Sequence, residues 1–227
     1  MKQFFLRQGH APRLTLFFTG WGMDDTPFHP CSNATTESDL LLCYDYRQLD
    51  NFDEDALRPY TDITLVAWSM GVWAASQVLQ KSLLPLTERI AVNGTITPVD
   101  EERGIPLAVF NGTLAGLTDA SLRKFQRRMC TSASTFQRFL AVAPRRPLEE
   151  LRHELDAIGQ QCLALPPADT FRWDKAVIST DDRIFCPANQ LRAWTGKAEI
   201  HLIEGRGHYE PDQLPPYNEL ALSKSSR

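Results

Sequence analysis

The sequence predicts an α/β fold with a mostly parallel central sheet and helices on both faces. Short apolar runs alternate with helical stretches, and parallel strands covered on both sides are typically apolar throughout. Loops that contain glycine or polar residues separate these runs. The predicted strands are residues 14–18, 40–44, 63–68, 89–92, 175–179 and 199–203.

The helical part of the pattern lies mainly between the fourth and fifth predicted strands. Helices are predicted at 121–130, 132–141 and 147–163, in addition to one at 72–80 that follows the third strand. A helical insertion in the middle of an α/β core is typical of a lid over the carboxyl ends of the strands, where such folds bind ligands. We therefore expect one domain over residues 1–227 with a lid at about 95–174.

Length and composition limit the class of protein. A chain of 227 residues that is 43% hydrophobic supplies one full-sized core. No apolar stretch approaches the roughly 20 residues of a membrane helix, and the first residues lack the apolar segment of a secretory signal. We expect a soluble cytoplasmic monomer with no membrane contact and a frayed tail at 223–227. The five scattered cysteines contain no CxxC pair and are expected to be buried, reduced thiols.

The distribution of charge is uneven. The formal net charge of −4 argues against nucleic acid as the main partner, because phosphate binding requires basic surfaces. Residues 121–146 nevertheless carry seven basic side chains and no acidic one. A local basic face on an acidic protein predicts an acidic partner, although such a run can also be a solvated helix face.

The central chemical motif is AWSMG at 67–71, where a predicted strand meets a predicted helix. It is the nucleophile elbow G-x-S-x-G with alanine in place of the first glycine. The turn is so sharp that side chains two positions on either side of the serine crowd each other, so small residues are needed there. Ser69 is therefore the candidate nucleophile. The amide of Met70, at a helix N-terminus, is a candidate donor to an oxyanion.

A second motif, TGWGMD at 19–24, follows the first predicted strand. In folds with this elbow, the loop after an early strand supplies the other oxyanion donor, and glycines let the backbone approach the substrate. The backbone amide of Trp21 is the candidate for that donor. Two glycines in an ordinary turn are the alternative interpretation.

The acid and the base are expected after the last two strands. The segment STDDRIFCP at 179–187 offers Asp181 and Asp182, and Asp182 is favoured because it directly precedes an Arg-Ile-Phe run. The segment EGRGHY at 204–209 offers His208 after glycines that allow a loop over the nucleophile. Serine, aspartate and histidine then occur in the chain order of the α/β-hydrolase fold. Together the four motifs predict a serine hydrolase of that fold.

The same residues resemble the BioG family, the pimeloyl-[acyl-carrier protein] methyl ester esterases of biotin synthesis. The likeness spans nearly the whole chain, and one departure is Tyr209-Glu210-Pro211 after the histidine, where a more apolar continuation is expected. The segments that carry the resemblance are FFTGWGMD at 17–24, AWSMGV at 67–72, NGT at 93–95, FNGT at 110–113 and KFQRRMC at 124–130.

The resemblance implies a mechanism and a partner. Ser69, deprotonated by His208, would attack the methyl ester at the far end of a pimeloyl chain on acyl-carrier protein, with no metal or organic cofactor. The methylenes require an apolar channel, and the basic segment would dock the acidic carrier. The candidates for the channel are Trp21, Phe110, Phe125, Met129, Phe136 and Phe139. The candidates for docking are Arg123, Arg127, Arg128, Arg138, Arg145 and Arg146.

Two other functions remain open on the sequence alone. The first is the same chemistry on other substrates, as an acyl thioesterase or a carboxylesterase for small esters. The second is a non-catalytic protein that binds acyl-carrier protein and has lost activity. The presence of serine, acid and histidine in order argues against the second.

Overall fold

The computed structural model describes residues 1–9, 12–31, 38–211 and 214–215. The predicted tail at 223–227 lies outside the described residues. The described part contains a seven-stranded sheet in the order β1-β3-β2-β4-β5-β6-β7. The strands are β1 (Lys2–Arg7), β2 (Arg13–Phe18), β3 (Asp39–Tyr44), β4 (Asp62–Trp68), β5 (Leu86–Val92), β6 (Lys175–Ser179) and β7 (Glu199–Ile203).

All six predicted strands are confirmed, and β2 to β7 pair in parallel. Every residue of β3 is buried, as are the last four residues of β4. Strands buried on both faces cannot alternate polar and apolar side chains, which is why they stand out in the sequence as continuous apolar runs.

One strand was not predicted. β1 lies at the edge of the sheet, pairs antiparallel with β3, and consists of exposed and half-buried residues. The sequence of an edge strand with one solvent-exposed face is not continuously apolar. Its sequence, KQFFLR, therefore lacks the pattern that identified the other six.

The helices cover the sheet and fill the long connection between β5 and β6. They are α1 (Met70–Leu79), α2 (Leu107–Ala115), α3 (Asp119–Met129), α4 (Ala133–Ala141), α5 (Leu148–Ala164) and α6 (Pro187–Trp194). The four predicted helices correspond to α1, α3, α4 and α5, whereas α2 and α6 were not predicted. No helix in the described part of the chain has the length and apolar character needed to cross a bilayer.

The sheet order creates a crevice at its carboxyl edge. From β2 the chain continues to its neighbour β3 on one side, and from β4 it continues to β5 on the other. The loops after β2 and β4 therefore leave the sheet in opposite directions, and ligands of open α/β sheets bind at such a point. Both sequence motifs, residues 19–24 and 67–71, lie at this crevice.

Candidate active site

Ser69 lies in the tight turn between β4 and α1. Its backbone has φ +60° and ψ −128°, a strained combination of the kind found at functional turns. The chain packs so closely here that a Cβ at Gly71 would lie 2.3 Å from the carbonyl oxygen of Phe18. A Cβ at Gly94 would lie 2.3 Å from the carbonyl oxygen of Ser69 itself. Backbone from the ends of β2 and β5 therefore holds the turn.

Three buried side chains meet above the carboxyl edge of the sheet. The Oγ of Ser69 lies 2.9 Å from Nε2 of His208. The Nδ1 of His208 lies 2.9 Å from Oδ2 of Asp182. In such a chain the imidazole can take the proton of the hydroxyl while the carboxylate holds the imidazole in the required tautomer.

Of the two neighbouring aspartates, the structure brings Asp182 to the imidazole. Its Oδ1 accepts hydrogen bonds from the amides of Ile184 and Phe185, at 2.7 and 3.0 Å. Asp181 is exposed, and its amide donates to the carbonyl of Arg206. The run that follows Asp182 in the sequence thus supplies donors to its carboxylate.

Gln190, which the sequence analysis missed, holds the same carboxylate from a third side. It is fully buried in α6, and its Nε2 donates to Oδ2 of Asp182 at 3.1 Å. The same nitrogen donates to the carbonyl of Phe185 at 2.8 Å. A glutamine eight residues after an aspartate, in a helix that was not itself predicted, gives no local pattern from which this contact could be inferred.

Asn93, at the end of β5, ties three loops together. Its φ is +47°, a left-handed conformation that asparagine tolerates better than most residues. Its Nδ2 donates to the carbonyls of Gly207 and His208, at 3.2 and 3.1 Å, and its Oδ1 accepts from the amide of Ser179 at 2.8 Å. In the sequence, the Asn-Gly pair at 93–94 ends a predicted strand and belongs to the segments that carry the family resemblance, but no role in the site was assigned to Asn93.

The loop at 19–24 lies directly against the elbow. A Cβ at Gly20 would lie 3.1 Å from the ring of Trp68 and 3.2 Å from Cβ of Ser69. Gly22 has φ +77°, which favours glycine. The close approach brings the backbone around Trp21 beside Ser69, where the start of α1 also places the amide of Met70. The two predicted oxyanion donors therefore belong to adjacent segments of the site.

A pocket lies against Ser69 and His208, which both form part of its lining. Its lining is mostly apolar, which suits an alkyl chain. Four of the six residues predicted for the channel line it, namely Trp21, Phe110, Phe125 and Met129. Residues that were not predicted also line it, namely Ile105, Val109, Thr113, Leu155 and Ile184.

The prediction that Phe136 and Phe139 line the channel is corrected by the structure. Phe139 is fully buried and packs its ring against Tyr209, with 4.9 Å between the ring centroids. Phe136 carries the guanidinium groups of Arg123 and Arg127 over its ring, at 5.2 and 5.8 Å. Helical periodicity indicates that these rings are turned toward protein, but it does not say which neighbour they meet.

A family model described as "Pimeloyl-ACP methyl esterase BioG" matches residues 1–216. The chain belongs to the BioG family. The resemblance found in the sequence is thereby confirmed. The crystal structure of BioG from Haemophilus influenzae is similar, with a TM-score of 0.86 and 38% identity, and the match covers 97% of this chain and 99% of that one.

Two further comparisons place this BioG-family chain among longer and more distant proteins. A Bacteroides fragilis protein named "Malonyl-[acyl-carrier protein] O-methyltransferase" is 56% identical over 213 residues, which are 93% of this chain but 42% of that protein. The chain thus spans less than half the length of that relative. An esterase from Exiguobacterium antarcticum has a TM-score of 0.70 at 14% identity, covering 97% of this chain and 93% of that one. The chain has the α/β-hydrolase fold.

The basic segment of this BioG-family chain presents five exposed arginines. Arg128 lies where the exposed face of α3 meets the pocket, because it is both exposed and part of the pocket lining. Arg127 also donates to the carbonyl of Cys130 at 2.9 Å, at the end of the same helix. The five exposed arginines are Arg123, Arg127, Arg128, Arg138 and Arg145.

Arg146, the sixth docking candidate, departs from the prediction. Its side chain is 5% exposed, and its Nη1 lies 2.6 Å from Oε2 of the buried Glu154. Its Nη2 lies 3.3 Å from Oδ1 of Asp45. A guanidinium enclosed by two acids is not available to a partner at the surface. The basic segment in the sequence therefore contains one arginine, Arg146, that forms buried ion pairs.

The cysteines are thiols where the structure describes them. Cys43 and Cys130 are buried, Cys162 is half-buried, and Cys186 is exposed, so the expectation that all are buried is wrong for Cys186. Burial raises the pKa of Cys130 to about 11 and that of Cys162 to about 12, which leaves both thiols protonated and unreactive at neutral pH. The side chain of Cys31 is outside the described part. Within the part of the chain that the structure describes, no three His, Cys, Asp or Glu side chains are grouped so that they could hold a metal ion.

Proposed function

We propose that this chain is a serine esterase that hydrolyses the methyl ester of pimeloyl-acyl-carrier protein, giving pimeloyl-acyl-carrier protein and methanol. One observation carries the proposal: the hydroxyl of Ser69, hydrogen-bonded in series to His208 and Asp182, faces an apolar pocket in a chain of the BioG family. The geometry suits nucleophilic attack on an ester, and the pocket suits an alkyl chain.

The reaction would proceed in two steps. His208 takes the proton of Ser69 as Oγ attacks the ester carbonyl, and the amides of Trp21 and Met70 donate to the oxyanion that forms. His208 then gives the proton to the departing methoxide, so that methanol leaves and an acyl-enzyme remains. A water molecule, deprotonated by the same imidazole, attacks the acyl-enzyme and releases the free carboxylate with the serine restored.

The proposed partner is an acidic acyl-carrier protein bearing the methyl-pimeloyl chain. The exposed arginines of α3 and α4 supply complementary charge beside the pocket, and such charge acts mainly on the rate and orientation of encounter. The proposal takes the chain to act in the cytoplasm as a monomer, without nucleic acid or membrane.

The test compares three substrates. A carrier-linked methyl ester should be hydrolysed with a higher kcat/KM than a free short-chain methyl ester, whereas a carrier-linked pimeloyl thioester should be cleaved more slowly than the methyl ester. Preference for the thioester or for the free ester would favour the thioesterase or the small-ester carboxylesterase instead.

A fluorophosphonate probe should label Ser69 and should not label Ser69→Ala. Binding of the carrier protein without any hydrolysis or labelling would favour a non-catalytic binding protein.

The name of the Bacteroides fragilis relative raises methyl transfer as a second candidate. That name belongs to a protein of which this chain matches 42%. A relay of serine, imidazole and carboxylate serves ester hydrolysis, whereas methyl transfer needs a bound methyl donor placed in line with its acceptor. Incubation of the chain with S-adenosylmethionine and malonyl-acyl-carrier protein should give no methyl ester. Formation of that ester would overturn the hydrolase proposal if the ester were also stable to the enzyme.

A further inference from the structure

Glu154 is a charged residue in the interior that the proposed reaction does not use. It lies in α5, within the connection between β5 and β6, and its side chain is fully buried. A buried carboxylate is costly unless several donors satisfy it, so its contacts indicate what it does for the molecule.

The carboxylate of Glu154 bridges two loops at the carboxyl edge of the sheet. Its Oε2 accepts from the amide of Gly22 at 3.3 Å, in the loop after β2. Its Oε1 accepts from the amide of Tyr46 at 3.0 Å, in the loop after β3. Gly22 directly follows Trp21, whose amide is a proposed oxyanion donor.

The same helix holds Trp21 by a second contact. The indole Nε1 of Trp21 donates to the carbonyl of Leu151 at 2.9 Å, one turn before Glu154 in α5. The ring of Trp21 also packs edge-to-face against Phe125, with 5.2 Å between the ring centroids. The peptide between Trp21 and Gly22 is thus fixed through the side chain on one side and the next amide on the other.

Arg146 compensates the charge and adds a third contact to the loop. Its Nη1 lies 2.6 Å from Oε2 of Glu154 and donates to the carbonyl of Met23 at 3.2 Å. Burial raises the pKa of Glu154, and the guanidinium of Arg146 opposes that shift. In this pair, Glu154 accepts from the amide of Gly22 and Arg146 donates to the carbonyl of Met23, so both residues hold the same loop.

We infer that Glu154 is a positioning residue for the oxyanion hole. It holds the Gly22 amide so that the Trp21 amide faces the ester oxygen, and it makes α5 a support of the catalytic loop. The inference rests on the proposed function, which assigns the Trp21 amide as an oxyanion donor. Oxyanion stabilisation depends on donors that are already in place, so a displaced loop lowers the rate without abolishing substrate binding.

The test substitutes Glu154→Gln, with Glu150→Gln as the matched control. Glutamine has the size of glutamate, but it has one acceptor oxygen and an NH2 donor in place of two acceptor oxygens. Glu150 lies one turn earlier in α5, and its Oε2 lies 3.6 Å from Nε of Arg146 and 3.8 Å from Nη2 of Arg47. On p-nitrophenyl butyrate, kcat per active site, titrated with fluorophosphonate, should fall about 10- to 100-fold in Glu154→Gln, with KM within about twofold. Glu150→Gln should keep the parent kcat.

A pair of inhibitors separates positioning from a general structural role. An alkyl trifluoromethyl ketone forms a tetrahedral adduct with the serine and needs the oxyanion donors, whereas the matching methyl ketone binds without them. Glu154→Gln should weaken the trifluoromethyl ketone in proportion to the loss in kcat/KM and leave the methyl ketone unchanged. Equal weakening of both inhibitors, or of neither, would overturn the inference.

A second variant keeps the test decisive if Glu154→Gln does not fold. Trp21→Phe removes the bond from the indole to Leu151 but keeps an aromatic ring and the backbone amide. The ratio of the two inhibitor affinities should shift in the same direction, and an unchanged ratio would overturn the inference. Failure of the proposed function looks different, because the parent protein would then show no hydrolysis that depends on Ser69.

Discussion

The carboxylate of Asp182 and the backbone of His208 are each held by donors from separate segments of the chain. Oδ1 of Asp182 accepts two backbone amides, and Oδ2 contacts both Gln190 and His208. The carboxylate therefore cannot rotate away from the imidazole without losing several hydrogen bonds. The carbonyl of His208 is held in turn by the indole of Trp68 at 2.9 Å and by Asn93.

Asp182→Asn should lower kcat on a small ester by about 10⁴-fold, because an asparagine amide can hold the imidazole in the wrong tautomer and cannot stabilise the imidazolium. Asp181→Asn is the matched control. Asp181 is exposed, and its amide donates to the carbonyl of Arg206, so kcat should remain at the parent value. A comparable loss in both variants, measured by steady-state kinetics, would show that the geometry does not decide the role of the acid.

At the scale of elements, the sequence predicted those strands, helices and turns whose pattern lies in consecutive or nearby residues. Strands such as β3 and β4, and the elbow, were found because burial on both faces and a sharp turn constrain consecutive positions. The helix α2 was missed because Asn111-Gly112 looks like a turn, yet a Cβ at Gly112 would meet nothing within 4 Å. Gly112 is there on an exposed helix face, where the pair does not interrupt the helix.

The supporting residues of the site could not be predicted in this way. Glu154 contacts Gly22 across 132 residues, and Asn93 contacts His208 across 115. Neither contact leaves a local spacing, because each depends on how loops from separate strands converge. The same limit explains Arg146, which belongs to a basic run in the sequence and to a buried ion pair in the fold.

The histidine loop is joined to the connection between α3 and α4. The amide of Tyr209 donates to the carbonyl of Met129 at 2.9 Å, and Oε1 of Glu210 accepts from Thr131 at 3.1 Å. The same oxygen accepts from the amide of Gly207 at 3.2 Å. The polar residues after His208, an unexpected continuation in the sequence, therefore attach the loop to the helical insertion.

Gly207→Ala should lower kcat at least about tenfold. A Cβ at Gly207 would lie 2.9 Å from the carbonyl oxygen of Met129, so the loop that carries His208 must move away from α3. Gly205→Asn is the control in the same loop: Gly205 has φ +68°, which asparagine tolerates, and a Cβ there would meet nothing within 4 Å. Steady-state kcat on a small ester should be unchanged in this variant, and a loss equal to that of Gly207→Ala would contradict the steric argument.

At the scale of the whole molecule, the helical insertion is attached to two loops of the proposed active site, the loop after β2 and the loop that carries His208. α5 contacts the loop after β2 through Leu151 and Glu154, and the end of α3 contacts the histidine loop through Met129. An insertion bonded in this way cannot swing away as one unit without disturbing both loops. The basic face of α3 is therefore held at a defined place beside the pocket, where Arg128 forms part of the lining.

A fixed basic face predicts that salt acts on one substrate and not on another. For a carrier-linked methyl ester, kcat/KM should fall as NaCl rises from 20 to 300 mM, because screening shortens the range over which the arginines attract an acidic carrier. For a free short-chain ester, kcat/KM should stay constant, since the ester is uncharged.

Arg123→Glu should lower kcat/KM for the carrier-linked ester about tenfold at low salt and flatten its dependence on salt. Arg103→Glu, at an exposed site in the turn before α2 and outside the basic segment, carries the same change of charge and should leave both unaffected. Equal effects of the two variants would mean that the net charge of the molecule, and not the face of α3, governs encounter with the carrier.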